Sequence, residues 1–188
     1  PGRACALVRE GSADLDRDAL GEVNGQCRER GLAPGEVVYL AGAPADHLFV
    51  VAAGQVKLVR FGADGQEVVV DLLGPGDAFG SLAVLGEAVY PDSALAHGEV
   101  CVLAIAAASF ADILARHPAV AQRAVAWLAR RLDAARTSVH RMSARSAEAR
   151  IAGVLLLLAD RMGEAVDGAT LIQLPLSRRD LAGLAGTT

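Results

Sequence analysis

The 188-residue chain has no long hydrophobic run. Its longest apolar stretches, around 151–159 and 100–108, reach about nine residues, whereas a membrane-spanning helix needs about 20. A helical membrane protein is therefore excluded. Cysteine is scarce: Cys5, Cys27 and Cys101 are too few and too scattered for a disulfide framework, so a reducing cytoplasm is the simplest home. Lysine is nearly absent, and Lys57 is the single one among 18 basic side chains; this reads as a compositional habit of the genome, with no function attached. A nucleophile elbow, a P-loop and paired catalytic acids are missing. His47, His97, His117 and His140 stand at no ligand spacing from one another or from a cysteine. No enzyme, metal or cofactor is expected. The first residues carry Glu10, Asp14, Asp16 and Asp18 without an apolar segment, so they do not read as a secretory signal. Pro1 without a preceding methionine leads to the expectation that residues are missing or processed there.

What the chain has in plenty is aliphatic carbon. Hydrophobic residues make up 53% of it, and 18 basic side chains nearly balance 22 acidic ones, which excludes a disordered chain. The length suits one to two domains with a real core. The charge is unevenly placed: residues 1–116 hold 8 basic and 16 acidic side chains, and residues 117–188 hold 10 and 6. An acidic first part and a basic second part suggest a sensor followed by a unit that meets a polyanion; two merely soluble halves are the plainer alternative.

Residues 1–31 read as a polar lead-in and a short helix over 14–30. From Leu32 to Ile105, short β-type runs (37–40, 47–53, 55–61, 67–73 and 99–105) alternate with turns at Gly42-Ala43-Pro44, Gly54, Ala63-Asp64-Gly65 and Gly74-Pro75-Gly76-Asp77. Evenly spaced short strands predict a small antiparallel barrel or sandwich. Asp64-Gly65 marks the clearest hairpin.

After Ile105 the pattern turns helical. A short helix spans 106–116, and Pro118 suits an early position in the next. There Val125, Leu128, Leu132, Ala135, Val139 and Met142 recur at spacings of 3, 4, 3, 4 and 3, a heptad seam with Arg130, Arg131, Asp133, Arg136 and Arg141 off it. A core helix shows a wider apolar stripe than this, so a dimer is expected over a helix packed on its own barrel. Ser146 then caps a helix with Ile151, Val154, Leu155, Leu158 and Met162 on its buried face. Residues 163–168 end it, a short strand follows at 170–174, and Ser177 caps a last helix carrying Leu181 and Leu184.

The order of these pieces resembles the Crp/Fnr family of bacterial transcription regulators. The residues that carry the likeness are Gly54-Gln55-Val56-Lys57-Leu58, Gly74-Pro75-Gly76-Asp77-Ala78-Phe79-Gly80, Ala129-Arg130-Arg131-Leu132, Arg150-Ile151-Ala152 and Leu176-Ser177-Arg178-Arg179-Asp180-Leu181-Ala182. The resemblance implies an α+β fold: an antiparallel double-stranded β-roll of jelly-roll type, a long dimerisation helix and a partial winged helix-turn-helix. The implied divisions are an effector or sensor domain at 1–117, the dimerisation helix at 118–145 and an incomplete DNA-binding domain at 146–188. Ser177, Arg178, Arg179, Thr187 and Thr188 are the implied DNA contacts. The recognition helix would begin at Thr187, so the expectation is a chain truncated before it. Double-stranded DNA, a second copy of the chain and RNA polymerase are the implied partners.

In cyclic-AMP-binding members a glutamate meets the ribose and an Arg-Ser pair meets the cyclic phosphate. The matching positions here are Gly80, Ser81 and Leu82, then Asp92, Ser93 and Ala94. Ser81 replaces the glutamate and Asp92 the arginine, which sets a negative charge against a phosphate that needs a cation when buried. On the long helix, Ala135-Arg136 replaces the Thr-Ser pair that meets adenine, leaving Arg136 as a group for an anion in some other pose. Cyclic AMP is not expected to be the effector. An iron–sulfur centre needs four thiolates and the chain has three cysteines. Haem on His47, His97 or Cys101, and a thiol switch on Cys5 or Cys27, stay as alternatives, while Cys101 reads best as a buried structural thiol. Metal-dependent enzymes on a similar roll set two or three histidines and a carboxylate on facing strands, a spacing this chain lacks. The competing reading is a ligand-binding sensor module that does not itself bind DNA.

Overall fold

The computed structural model describes residues 17–62, 65, 67–80, 88–142, 146–172 and 176–186, with backbone alone for 17–20, 138 and 140–142. Helix α1 (Arg17–Gln26) precedes strands β1 (Arg28–Leu32), β2 (Val37–Tyr39), β3 (His47–Phe61), β4 (Glu67–Leu73), β5 (Ala78–Gly80) and β6 (Ser93–Ala106). Then come α2 (Ala107–Arg116), α3 (Pro118–Met142), α4 (Ala147–Met162), the hairpin β7 (Glu164–Val166) and β8 (Ala169–Leu171), and α5 (Arg178–Leu184). Among the described residues no helix is long and apolar enough to cross a membrane.

Two long strands organise the roll. β3 and β6 pair antiparallel from His47↔Ala106 to Val59↔Ser93, with register shifts at Ala53. Beyond that break β3 also pairs with β4, and before it with β5; β1 and β2 add to β6. Gly54 makes the break possible. Its φ is +76°, and a Cβ there would stand 2.2 Å from the Glu99 carbonyl oxygen, so only glycine lets the strands cross this closely. The runs expected at 47–53 and 55–61 are thus one bent strand. The run expected at 99–105 is the second half of β6.

Alternation along β3 separates two cores. Phe49, Val51 and Val56 point into the roll with Tyr39, Leu73, Phe79, Tyr90 and Val102. Leu48 and Val50 point the other way, where Val23 of α1, Phe110 and Ile113 of α2 and Val120 of α3 cover them. A third cluster joins Leu72 of β4 to Val154 and Leu158 of α4 and Ala185 after α5.

Three local expectations change. The helix expected over 14–30 is Arg17–Gln26 where described, because residues 28–32 pair with β6 instead, and Arg30 donates to the carbonyls of Val37 and Val38. The segment 163–168, read as a helix end, holds strand β7; Asp167 (φ 48°) and Gly168 (φ 79°) form the two-residue turn of a hairpin. Leu155 and Leu156 are exposed on α4, which buries only Val154 and Leu158 fully.

Candidate functional site

Gly80 closes β5 with φ +95°, and a Cβ there would meet the His47 carbonyl oxygen at 2.9 Å and the Phe49 ring at 3.1 Å. Beside it Tyr39 stacks on Tyr90 with ring centroids 3.8 Å apart. The Tyr39 hydroxyl donates to Asp92 Oδ1 at 3.3 Å, and burial together with this carboxylate pushes the phenol pKa up. Ser93 is buried, and its hydroxyl oxygen accepts from the Ala41 amide at 2.9 Å. Ala94 is fully buried in the roll core. Gly80 and Asp92 therefore border the Tyr39–Tyr90 stack and Ala94 lies in the same core, while Ser93 is held on the Ala41 amide. Arg136 is exposed on α3; the cations whose charge bears on Asp92 are Arg60 and Arg131. Burial raises the Asp92 pKa, more than Tyr39 and those arginines lower it. Ser81 and Leu82 lie outside the described residues.

Helix α3 carries two apolar stripes. Val120, Ala124 and Trp127 pack on the roll and its helices, and the Arg131 guanidinium lies 5.7 Å from the Trp127 ring centroid. The heptad stripe faces elsewhere: Val125, Leu132 and Val139 are 65%, 53% and 69% exposed, Ala135 is exposed and Leu128 half-buried. The Met142 side chain lies outside the described residues.

At the C-terminal end, the Ser177 hydroxyl accepts from the Asp180 amide at 3.1 Å, while Asp180 Oδ2 accepts from the Ser177 amide at 2.9 Å and from its hydroxyl at 2.7 Å. This is a complete capping box. Arg178 and Arg179 are exposed on that first turn, and Thr187 and Thr188 lie outside the described residues. Burial alone would raise the Asp180 pKa; hydrogen bonds from Ser177 and from Lys57 reverse this and leave it lowered. A second ionic group sits alongside. Arg161 of α4 donates to Asp71 Oδ1 at 3.2 Å and Asp77 Oδ2 at 2.7 Å, and Arg131 of α3 lies 3.6 Å from Asp71. Asp71 thus gathers cations from both helices onto β4. The cavity there, about 80 Å³, is lined by Leu72, Val154, Leu158, Leu184 and Arg150 among others. Its volume is far below the 300–1,000 Å³ of ordinary small-molecule sites.

The model of the cyclic nucleotide-binding domain matches residues 29–117. A cyclic AMP receptor protein from Thermus thermophilus is 35% identical over 162 residues, spanning 85% of this chain and 71% of that one. The HTH-type transcriptional regulator Cmr of Mycobacterium tuberculosis is 32% identical over 185 residues, 97% of this chain and 70% of the relative. The chain belongs to the Crp/Fnr family. It is a transcription regulator of that DNA-binding type. FixK2 from Bradyrhizobium japonicum superposes with a TM-score of 0.76 at 26% identity, covering 86% of this chain and 78% of that one.

Within the Crp/Fnr frame, the residue that sequence reasoning passed over is Lys57. Its ammonium donates to Glu67 Oε1 at 3.0 Å and to Asp180 Oδ1 at 3.1 Å, a partner 123 positions away. No local signal marks such a pair; its rarity was the only clue. Cys101, expected to be buried, is half-buried and donates to Glu29 Oε1 at 3.1 Å, and His117 and Arg116 both meet Glu22 of α1. Among the described residues no three His, Cys, Asp or Glu side chains form a metal-binding group.

Proposed function

We propose that this regulator acts as a cytoplasmic homodimer, joined along Val125, Leu128, Leu132, Ala135, Val139 and Met142, and that it does not respond to cyclic AMP. In this reading 1–117 is the sensor domain, 118–145 the dimerisation helix and 146–188 part of the DNA-binding domain. Ser177, Arg178, Arg179, Thr187 and Thr188 contact the duplex, RNA polymerase is a further partner, and no reaction is catalysed.

The observation that carries the effector reading is Asp92. A cyclic phosphate entering the roll needs a cation. Asp92 offers a half-buried carboxylate bound to Tyr39 in its place. The dimer reading is supported by α3, whose own-roll stripe is separate from the exposed heptad stripe. An unpartnered seam of that kind suits a second copy of the same helix.

Calorimetry with cyclic AMP tests the effector claim: no binding heat is expected, and duplex binding by the full-length gene product should be the same with and without the nucleotide. Micromolar binding, or duplex retention that depends on cyclic AMP, would overturn it.

A further inference from the structure

Lys57 sits within β3, and its side chain is 18% exposed. It bridges Glu67 on the neighbouring strand and Asp180 on the first turn of α5. Asp180 is 7% exposed, so one carboxylate both closes the capping box and takes the charge of the roll's lysine. Next to this ion pair, α5 lies against the backbone of β4. A Cβ on Gly183 would stand 3.1 Å from the Val69 amide nitrogen and 3.7 Å from the Val69 Cβ. The residues of α5 sort by face accordingly. Leu181 and Leu184 join the cluster with α4 and Leu72, Asp180 and Gly183 meet the roll, and Arg178 and Arg179 stay exposed.

We propose that Lys57 is a positioning residue for DNA recognition, clamping α5 onto β4 and neutralising Asp180 beside Arg178 and Arg179. The proposal rests on the DNA-binding reading of α5 given above. Docking leaves Arg178 and Arg179 exposed, so the clamped arrangement keeps them open to a duplex. A dimer reads two half-sites only when its two units are held at a set separation. A unit tied to the roll is placed in advance and gives up less freedom on binding. Without Lys57, the Asp180 carboxylate is a poorly compensated anion in the same turn as the arginines, and it repels approaching phosphates.

The test uses the full-length gene product and an inverted-repeat duplex recovered by selection. Lys57→Met should weaken duplex binding about tenfold with the dimer mass and helix content unchanged, and Lys57→Arg should keep most of it. A Cβ at Gly183 would also lie 3.7 Å from the Val69 Cβ, within the span of a disulfide once the Val69 amide, 3.1 Å away, gives by a few tenths of an ångström. Val69→Cys with Gly183→Cys, oxidised, should restore affinity in the Lys57→Met background, and reduction should remove the rescue. Two results overturn the role of Lys57 alone: duplex binding by Lys57→Met equal to that of the unsubstituted protein, or loss of binding on oxidation with recovery on reduction. If the unsubstituted protein retains no duplex, the DNA-binding reading fails and the proposal fails with it.

Discussion

Asp92 is the side chain on which the effector proposal turns. Its carboxyl is partly withdrawn from water, and its hydrogen-bond donor, Tyr39, is neutral. Burial raises its pKa above the ordinary 3.8, so the native state holds that proton more tightly than the unfolded chain does. Stability from this group is therefore greatest below the ordinary value and falls as pH rises through the raised one. Asn keeps an acceptor for Tyr39 without the charge. Asp92→Asn should raise Tm at pH 7 by roughly 2–4 °C, with the gain vanishing in acid, as followed by circular dichroism against pH. A gain that persists at pH 3 would show that charge burial is not its cause.

Helices α3 and α5 carry the predictions that belong to elements. The heptad spacing of α3 was legible in the sequence because it depends only on local periodicity. Its second stripe, Val120, Ala124 and Trp127, was not, since it takes its meaning from the roll it packs on. Leu132→Asp with Val139→Asp places charges on residues already exposed in the single chain, so it should leave the fold intact and yield monomers by light scattering. A dimer that survives both changes would contradict the seam. For α5, Ser177→Ala removes one half of the capping box and should cost about 1 kcal/mol in denaturant unfolding. An unchanged midpoint would mean that docking on β4, and not the cap, holds the helix. The β7–β8 hairpin gives the opposite lesson. Asp167-Gly168 is a strong turn signal, yet strands of three residues each leave too little periodicity to read.

At the scale of the molecule, strand order, the helix that follows the roll and the capped helices all follow from turn residues and hydrophobic period, so the architecture was readable. The contacts that unite its parts were not. Lys57 with Asp180, Arg161 with Asp71 and Asp77, and Leu72 with Val154 and Leu158 are pairs distant in sequence, and each residue alone looks like ordinary surface or core. They fasten the basic C-terminal part to the acidic roll through β3, β4 and the turn after β4, which turns the charge asymmetry into a physical connection. The claim that joins these levels is that two copies, paired along α3, present two such units to one duplex. Selection of the full-length gene product against a pool of random duplexes, followed by sequencing of what it retains, tests this most directly. The account predicts an enriched inverted repeat with half-sites about one helical turn apart; enrichment of a single unpaired half-site, or of no sequence at all, would contradict it.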